Sequence, residues 1–282
     1  MPMILAKCVT RGRGAWKLDW GADGGGKSES KAASLDALGM QSVRAANDYD
    51  VATNPYKGTY AGGGAYGGEE YGVSNDEKGG ISAAEFKKLY GGIIDEKARQ
   101  LGVDSNILGG LILTEASGSG FKGGNLKVRL EPSYFNYFTG DKYSDLFMED
   151  EDGIQKYRES VDQPWKPIHE SQESERAAFE VVKRLDPAAA YKSISMGLGQ
   201  IMGENYEAAG YKSAEEMYED FSKGHWQQIE GTGRFIRNTG VIHQAMQRGN
   251  LRKVAEHYNG PRNVDEYSGK IQRNMDLYKN LP

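Results

Sequence analysis

The stretch Ile112-Leu-Thr-Glu-Ala-Ser-Gly-Ser-Gly-Phe121 places one carboxyl where acid–base chemistry could use it. Leu108, Leu111, Ile112 and Glu115 fall at i, i+3, i+4 and i+7, one face of a helix that Asp104 or Ser105 would cap. An apolar face packs into a core, so Glu115 sits at the end of a stripe drawn out of water. Burial favours the neutral acid. The negative end of the helix dipole pushes the same way. Ser117-Gly-Ser-Gly120 then ends the helix and leaves room beside the carboxyl. A proton-holding acid at the lip of a cleft is what cleavage of a glycosidic bond requires. The plain alternative is a surface Glu at a helix end.

Two further stretches could shape such a cleft. Ser195-Met-Gly-Leu-Gly-Gln-Ile-Met-Gly203 is rich in small residues, and Gln200 among apolar neighbours could present an amide to a sugar. Its bland reading is a tightly packed helix crossing. Tyr258-Asn-Gly-Pro261 follows a helix and reads either as a simple stop or as a Tyr and an amide lining a groove. Trp165, Trp226 and Tyr258 could stack on sugar rings, although core packing is the commoner fate of aromatics.

A more obvious motif points elsewhere. Gly21-Ala-Asp-Gly-Gly-Gly-Lys-Ser28 satisfies the G-x-x-x-x-G-K-S pattern of a phosphate loop. Such a loop works between a strand and a helix in a parallel sheet, with an Asp elsewhere to hold magnesium. Ala15 to Trp20 could pass for the strand, but no further strand series follows. The match is expected by chance in a glycine-rich segment. The four His residues, 169, 225, 243 and 257, show no H-E-x-x-H spacing, and no G-x-S-x-G elbow is present. No cofactor or metal is expected.

These pieces must be carried by helices. The chain of 282 residues divides by composition near residue 80. The first part is rich in Gly, with Tyr60, Tyr66 and Tyr71 interleaved and one weak helix over 30–47. It reads as an irregular arm, either a tether or a docking segment. From Ile81 onward the chain predicts helices over 82–100, 173–185, 225–238, 241–247, 251–257 and 264–279, with capping boxes at Ser82–Glu85 and Ser213–Glu216. Pro187 reads as a stop. The polar, aromatic stretch 129–172 reads as a long loop or a small hairpin region. A net charge of −5 argues against a nucleic-acid partner. A single cysteine, Cys8, allows no intrachain disulfide. No segment reads as a secretory signal or a membrane span, so delivery to a site outside the cytoplasm would need another route.

In order along the chain stand ILTEASGSGF, RLEPSYF, RLDPAAAYKSISMGLGQIMGENYEAAGY, FIRNTG and HYNGP. This series resembles the N-acetylmuramidase family of the lysozyme-like superfamily, found in phage endolysins, virion lysins and some bacterial proteins. The resemblance covers about residues 81–281. It implies a mainly α fold, with a lysozyme-like helical domain over 81–282; the Gly-rich, largely irregular arm over 1–80 is read from composition alone. It implies cleavage of the β-1,4 bond between N-acetylmuramic acid and N-acetylglucosamine, with Glu115 as general acid. Glu131 stands at the place of a second family acid, within Leu130-Glu-Pro-Ser-Tyr-Phe135. Ser133 stands there where a His is usual, and Met196 where an aromatic is frequent. Ser195, Gln200, Met202, Tyr206, Tyr258 and Asn259 are the implied substrate-binding residues.

Glu131 would activate water or stabilise an oxocarbenium-like transition state, with Asp141, Asp145 and Asp186 as weaker candidates for that role. Two alternatives stay open. One is a lytic transglycosylase, in which the sugar's own 6-hydroxyl attacks and an anhydro end results. The other is a structural virion protein that only binds peptidoglycan. The expected partners are peptidoglycan glycan strands and, through the arm, other virion proteins. A homo-oligomer within an assembly and a virion location after synthesis in the host cytoplasm complete the expectation.

Overall fold

The computed structural model describes residues 8–10, 16–18, 83–116 and 119–281. The Gly21–Ser28 loop, the helix expected over 30–47, the tyrosines at 60, 66 and 71, and Ser82 lie outside the described residues. Cys8–Thr10 (β1) and Trp16–Leu18 (β2) pair antiparallel.

The remainder is mostly helical. Ala83–Leu101 (α1) and Ser105–Ala116 (α2) come first. Asp104 starts α2 by accepting the Asn106 N–H at 2.8 Å. Leu108, Leu111 and Ile112 are buried as their spacing requires, but so are Ile107 and Leu113 on the other side. The middle of α2 is therefore buried on more than one side rather than amphipathic. Gly109 and Gly110 allow that burial by letting Val264–Asn280 (α10) approach closely. A Cβ at Gly110 would lie 2.6 Å from the Met275 backbone nitrogen. Gly110→Ala is thus expected to lower stability by about 2–3 kcal/mol through overpacking, read as a fall in the thermal midpoint.

After α2 the chain builds small antiparallel sheets. Phe121–Lys122 (β3) pairs with Asn125–Leu126 (β4). Val128–Leu130 (β5) leads into Pro132–Phe138 (α3), a short helix that the polar, aromatic composition of 129–172 concealed. The hairpin reading of that stretch is also realised. Phe147–Glu149 (β6), Gln155–Tyr157 (β7) and Lys166–Pro167 (β8) form a three-stranded sheet. Ser171 caps Gln172–Leu185 (α4). Pro187 both ends α4 and opens Pro187–Lys192 (α5), where Asp186 accepts the Ala189 N–H at 3.0 Å.

The stretch 195–203 is not a helix crossing. Ile194–Met196 (β9) and Ile201–Met202 (β10) form a hairpin, and β9 also pairs with β5 to give the order β10-β9-β5. The helical remainder is Ala214–Phe221 (α6), His225–Asn238 (α7), Gly240–Gln247 (α8), Leu251–Tyr258 (α9) and α10. These elements enclose one apolar core that includes Phe86, Leu111, Phe179, Met196 and Ile236.

Candidate active site

The β10-β9-β5 sheet sets the floor of a cleft. Its register places Arg129, Ser195 and Met202 in one row, with Val128, Met196 and Ile201 in the next. Side chains alternate along strands. Val128, Leu130, Ile194 and Met196 accordingly face the core, while Arg129 and Ser195 face the cleft. Two residues after Arg129, Glu131 emerges on the same side, and the Arg129 Nε donates to its Oε1 at 3.0 Å.

The open edge of β5 is closed by side chains from α4. Gln172 accepts the Val128 N–H at 3.0 Å and donates to its carbonyl at 2.9 Å, as a neighbouring strand would. Glu175 accepts the Leu130 N–H at 2.9 Å and pairs with His169 at 2.7 Å. The turn between β9 and β10 is held by Gln228 of α7, which accepts the Leu198 N–H at 2.8 Å. His225 of α7 fixes the loop beyond α2. Its Nε2 accepts the Gly120 N–H at 3.3 Å, which leaves the Nδ1 proton for the Tyr90 hydroxyl at 3.0 Å.

The cleft holds about 650 Å³ and runs from Glu131 and Tyr134 to Tyr258 and Asn259. A shallower space of about 360 Å³ extends on toward His169, Gln172 and Glu175. Glu115, Arg129 and Gln200 border both spaces. Glu115 therefore lies where the two spaces meet.

Glu115 faces this groove with part of its side chain, while its Oε1 is sealed from solvent and makes no hydrogen bond. Burial alone pushes its pKa up to about 8. The direction is the one its apolar helix implied, and the cause is desolvation by burial. Tyr258, whose own acidity is suppressed by burial and by the nearby Glu115, donates its hydroxyl to the Gly199 carbonyl at 2.6 Å. That bond ties α9 to the β9–β10 turn.

Of the residues singled out in the sequence, Glu115, Glu131, Ser195, Gln200, Met202, Tyr258 and Asn259 all line the cleft. Gln200 does so in a left-handed conformation with φ of 43°. Its side chain is largely spent on the turn: Ser195 Oγ donates to it at 3.0 Å, and it donates to the Gly197 carbonyl at 2.8 Å. Tyr206 is not among the lining residues, and its hydroxyl donates to Glu207 at 3.2 Å. Trp165 lies against the Arg158 guanidinium at 4.5 Å, and Trp226 opens α7; neither borders the cleft. Asp186 is consumed as the α5 cap, and Asp141 and Asp145 lie in turns outside the lining.

Glu204 and His257 are among the lining residues that the sequence did not single out. Glu204 sits in the 3-10 turn after β10, and its pKa is pushed up to about 8, chiefly by burial. His257 also borders the cleft, and burial lowers its pKa. Among the described residues no three His, Cys, Asp or Glu side chains are grouped to hold a metal ion. Among them also, no helix is long and apolar enough to cross a membrane.

Residues 104–279 match the family model of the N-acetylmuramidases. The crystal structure of a Burkholderia AP3 phage endolysin is similar in fold, with a TM-score of 0.53 and 22% sequence identity over 72% of this chain and 73% of that one. No curated protein sequence matches the chain.

Proposed function

The chain belongs to the N-acetylmuramidase family, and from that premise we infer that it cleaves the β-1,4 bond between N-acetylmuramic acid and N-acetylglucosamine with Glu115 as general acid. It is a glycoside hydrolase of the lysozyme type. The observation that carries the role of Glu115 is a carboxyl at the end of a buried helix, desolvated, without a hydrogen bond on Oε1, and lying where the two spaces meet. Such a group holds its proton at neutral pH and delivers it to the leaving glycosidic oxygen. Glu131, paired with Arg129 on the cleft floor, supplies the negative charge that stabilises the developing oxocarbenium ion or orients the attacking water.

The same reading extends to residues 1–80. The Gly-rich segment with Tyr60, Tyr66 and Tyr71 is an arm that docks the enzyme onto other proteins of a phage particle. Tyrosine supplies contact area at low entropic cost, and glycine lets the chain follow a partner's surface.

Digestion of purified peptidoglycan, with the fragments identified by mass spectrometry, tests the activity. Reducing N-acetylmuramic acid ends are expected. Anhydro ends would make the enzyme a transglycosylase, and no fragments from folded, wall-binding protein would leave it a structural component. Deletion of residues 1–80 tests the arm. Loss of incorporation into particles with lytic activity retained is expected; unchanged incorporation overturns the docking role.

A further inference from the structure

We propose that Glu204 is a substrate-recognition residue of this cleft, a carboxyl that donates a hydrogen bond to a carbonyl oxygen on the glycan strand. The proposal rests on the muramidase reading of the cleft and assigns a function to a group that the bond-breaking chemistry does not use. Glu204 borders the cleft, yet its Oε1 is sealed from bulk solvent and has no hydrogen-bond partner. An unpaired buried polar atom is costly and rare. The cost is recovered when a ligand supplies the partner.

The groups that face Glu204 decide which partner fits. From α3, Tyr134 hydrogen-bonds the carboxyl and Tyr137 lies within range of its charge. Glu131, at the start of α3, acts on the same Tyr134. From α5, Lys192 favours the ionised form. Burial outweighs both Lys192 and Tyr134 and keeps the group neutral up to about pH 8. A carboxylate only accepts hydrogen bonds, whereas the acid also has one O–H to give. With Tyr134 hydrogen-bonded to the carboxyl, the O–H of the acid is left for a ligand in the cleft. Peptidoglycan offers carbonyl acceptors of two kinds, the acetamido group of both sugars and the lactyl group of muramic acid. A neutral donor binds either without repelling the lactyl carboxylate of a peptide-free strand.

The test uses the full-length E115Q protein, which removes the titration of Glu115 from the measurement. Binding of peptide-free glycan strands and of chitooligosaccharides is measured by calorimetry at pH 6 and pH 9, in E115Q and in E115Q/E204Q. Glutamine keeps a donor at that position and does not ionise. The other side chains of the cleft are the same in both proteins. E115Q is expected to bind strands about fivefold more weakly at pH 9, the loss of one hydrogen bond, while E115Q/E204Q changes less than twofold. The same loss with chitooligosaccharides assigns the acetamido carbonyl; a loss confined to muramic strands assigns the lactyl group. Equal pH dependence in the two proteins, or no binding of strands at pH 6, overturns the proposal. Wild-type protein that releases no reducing ends overturns the muramidase reading instead, and the two failures are told apart by separate assays.

Discussion

Glu115→Gln is expected to reduce release of reducing ends from peptidoglycan by about three orders of magnitude or more, with binding of glycan strands retained. Glutamine matches the carboxyl in shape but has no proton to give, and a positioned general acid contributes about 10²–10⁴ in rate. The wild-type pH profile carries the same information. The acid form is required, and its pKa is about 8, so kcat/KM should fall about tenfold per pH unit above that value. Stability moves in the same window with a definite sign. The folded pKa of about 8 lies above the usual 4.5. Below the unfolded value both states are protonated and nothing is lost. As pH rises toward 8 the unfolded chain releases a proton that the folded protein retains, so the native state loses stability. Water in the cleft reaches part of the side chain and limits the loss to about 2 kcal/mol. E115Q should therefore melt about 4–8 °C above wild type at pH 9 and level with it near pH 4. An inactive variant that is more stable than its parent at alkaline pH distinguishes a strained acid from a structural one. An E115Q protein with full activity would assign the proton donor elsewhere.

Gly203→Ala should be the most damaging substitution in the cleft floor, with a loss of stability of about 3 kcal/mol or more. Gly203 stands between Met202 and Glu204, both of which line the cleft. An added Cβ would overlap the Tyr191 carbonyl oxygen and press on the Lys192 backbone, where α5 ends. A flexible side chain could turn aside; a backbone carbonyl in a helix cannot. The strain would separate the β9–β10 hairpin from α5 and move Lys192 relative to Glu204. A midpoint lowered by less than about 3 °C in a thermal melt, with unchanged activity, would show that the turn yields where the packing says it does not.

The helices were legible because their signals are local. Alpha7 begins at His225 and ends at Asn238, as its periodicity predicts. Helix α6 follows Ser213, which accepts the Glu216 N–H at 3.0 Å. The short helix α3 was not legible, since about two turns show too little of a period to detect. The hairpin at 194–202 was missed for a related reason. Its strands are two and three residues long and are held by partners distant in sequence, Arg129 opposite Ser195 and Gln228 on the turn.

Glu115 and Glu204 separate what each level decides. The sequence alone determined that Glu115 ends an apolar helix, because 3.6 residues per turn puts Leu108, Leu111 and Ile112 on its face. The direction of the pKa shift was legible there, while the burial itself comes from the elements packed around α2. Only the tertiary structure decided that Glu204 is equally desolvated. Its neighbours in the chain are Gly203 and Asn205, in a 3-10 turn with no apolar stripe. The groups around it come instead from α3 and α5, through Tyr134 and Lys192. Desolvation depends on what fills the space around a charge, and local sequence reports that only when the neighbours in space are also neighbours in the chain.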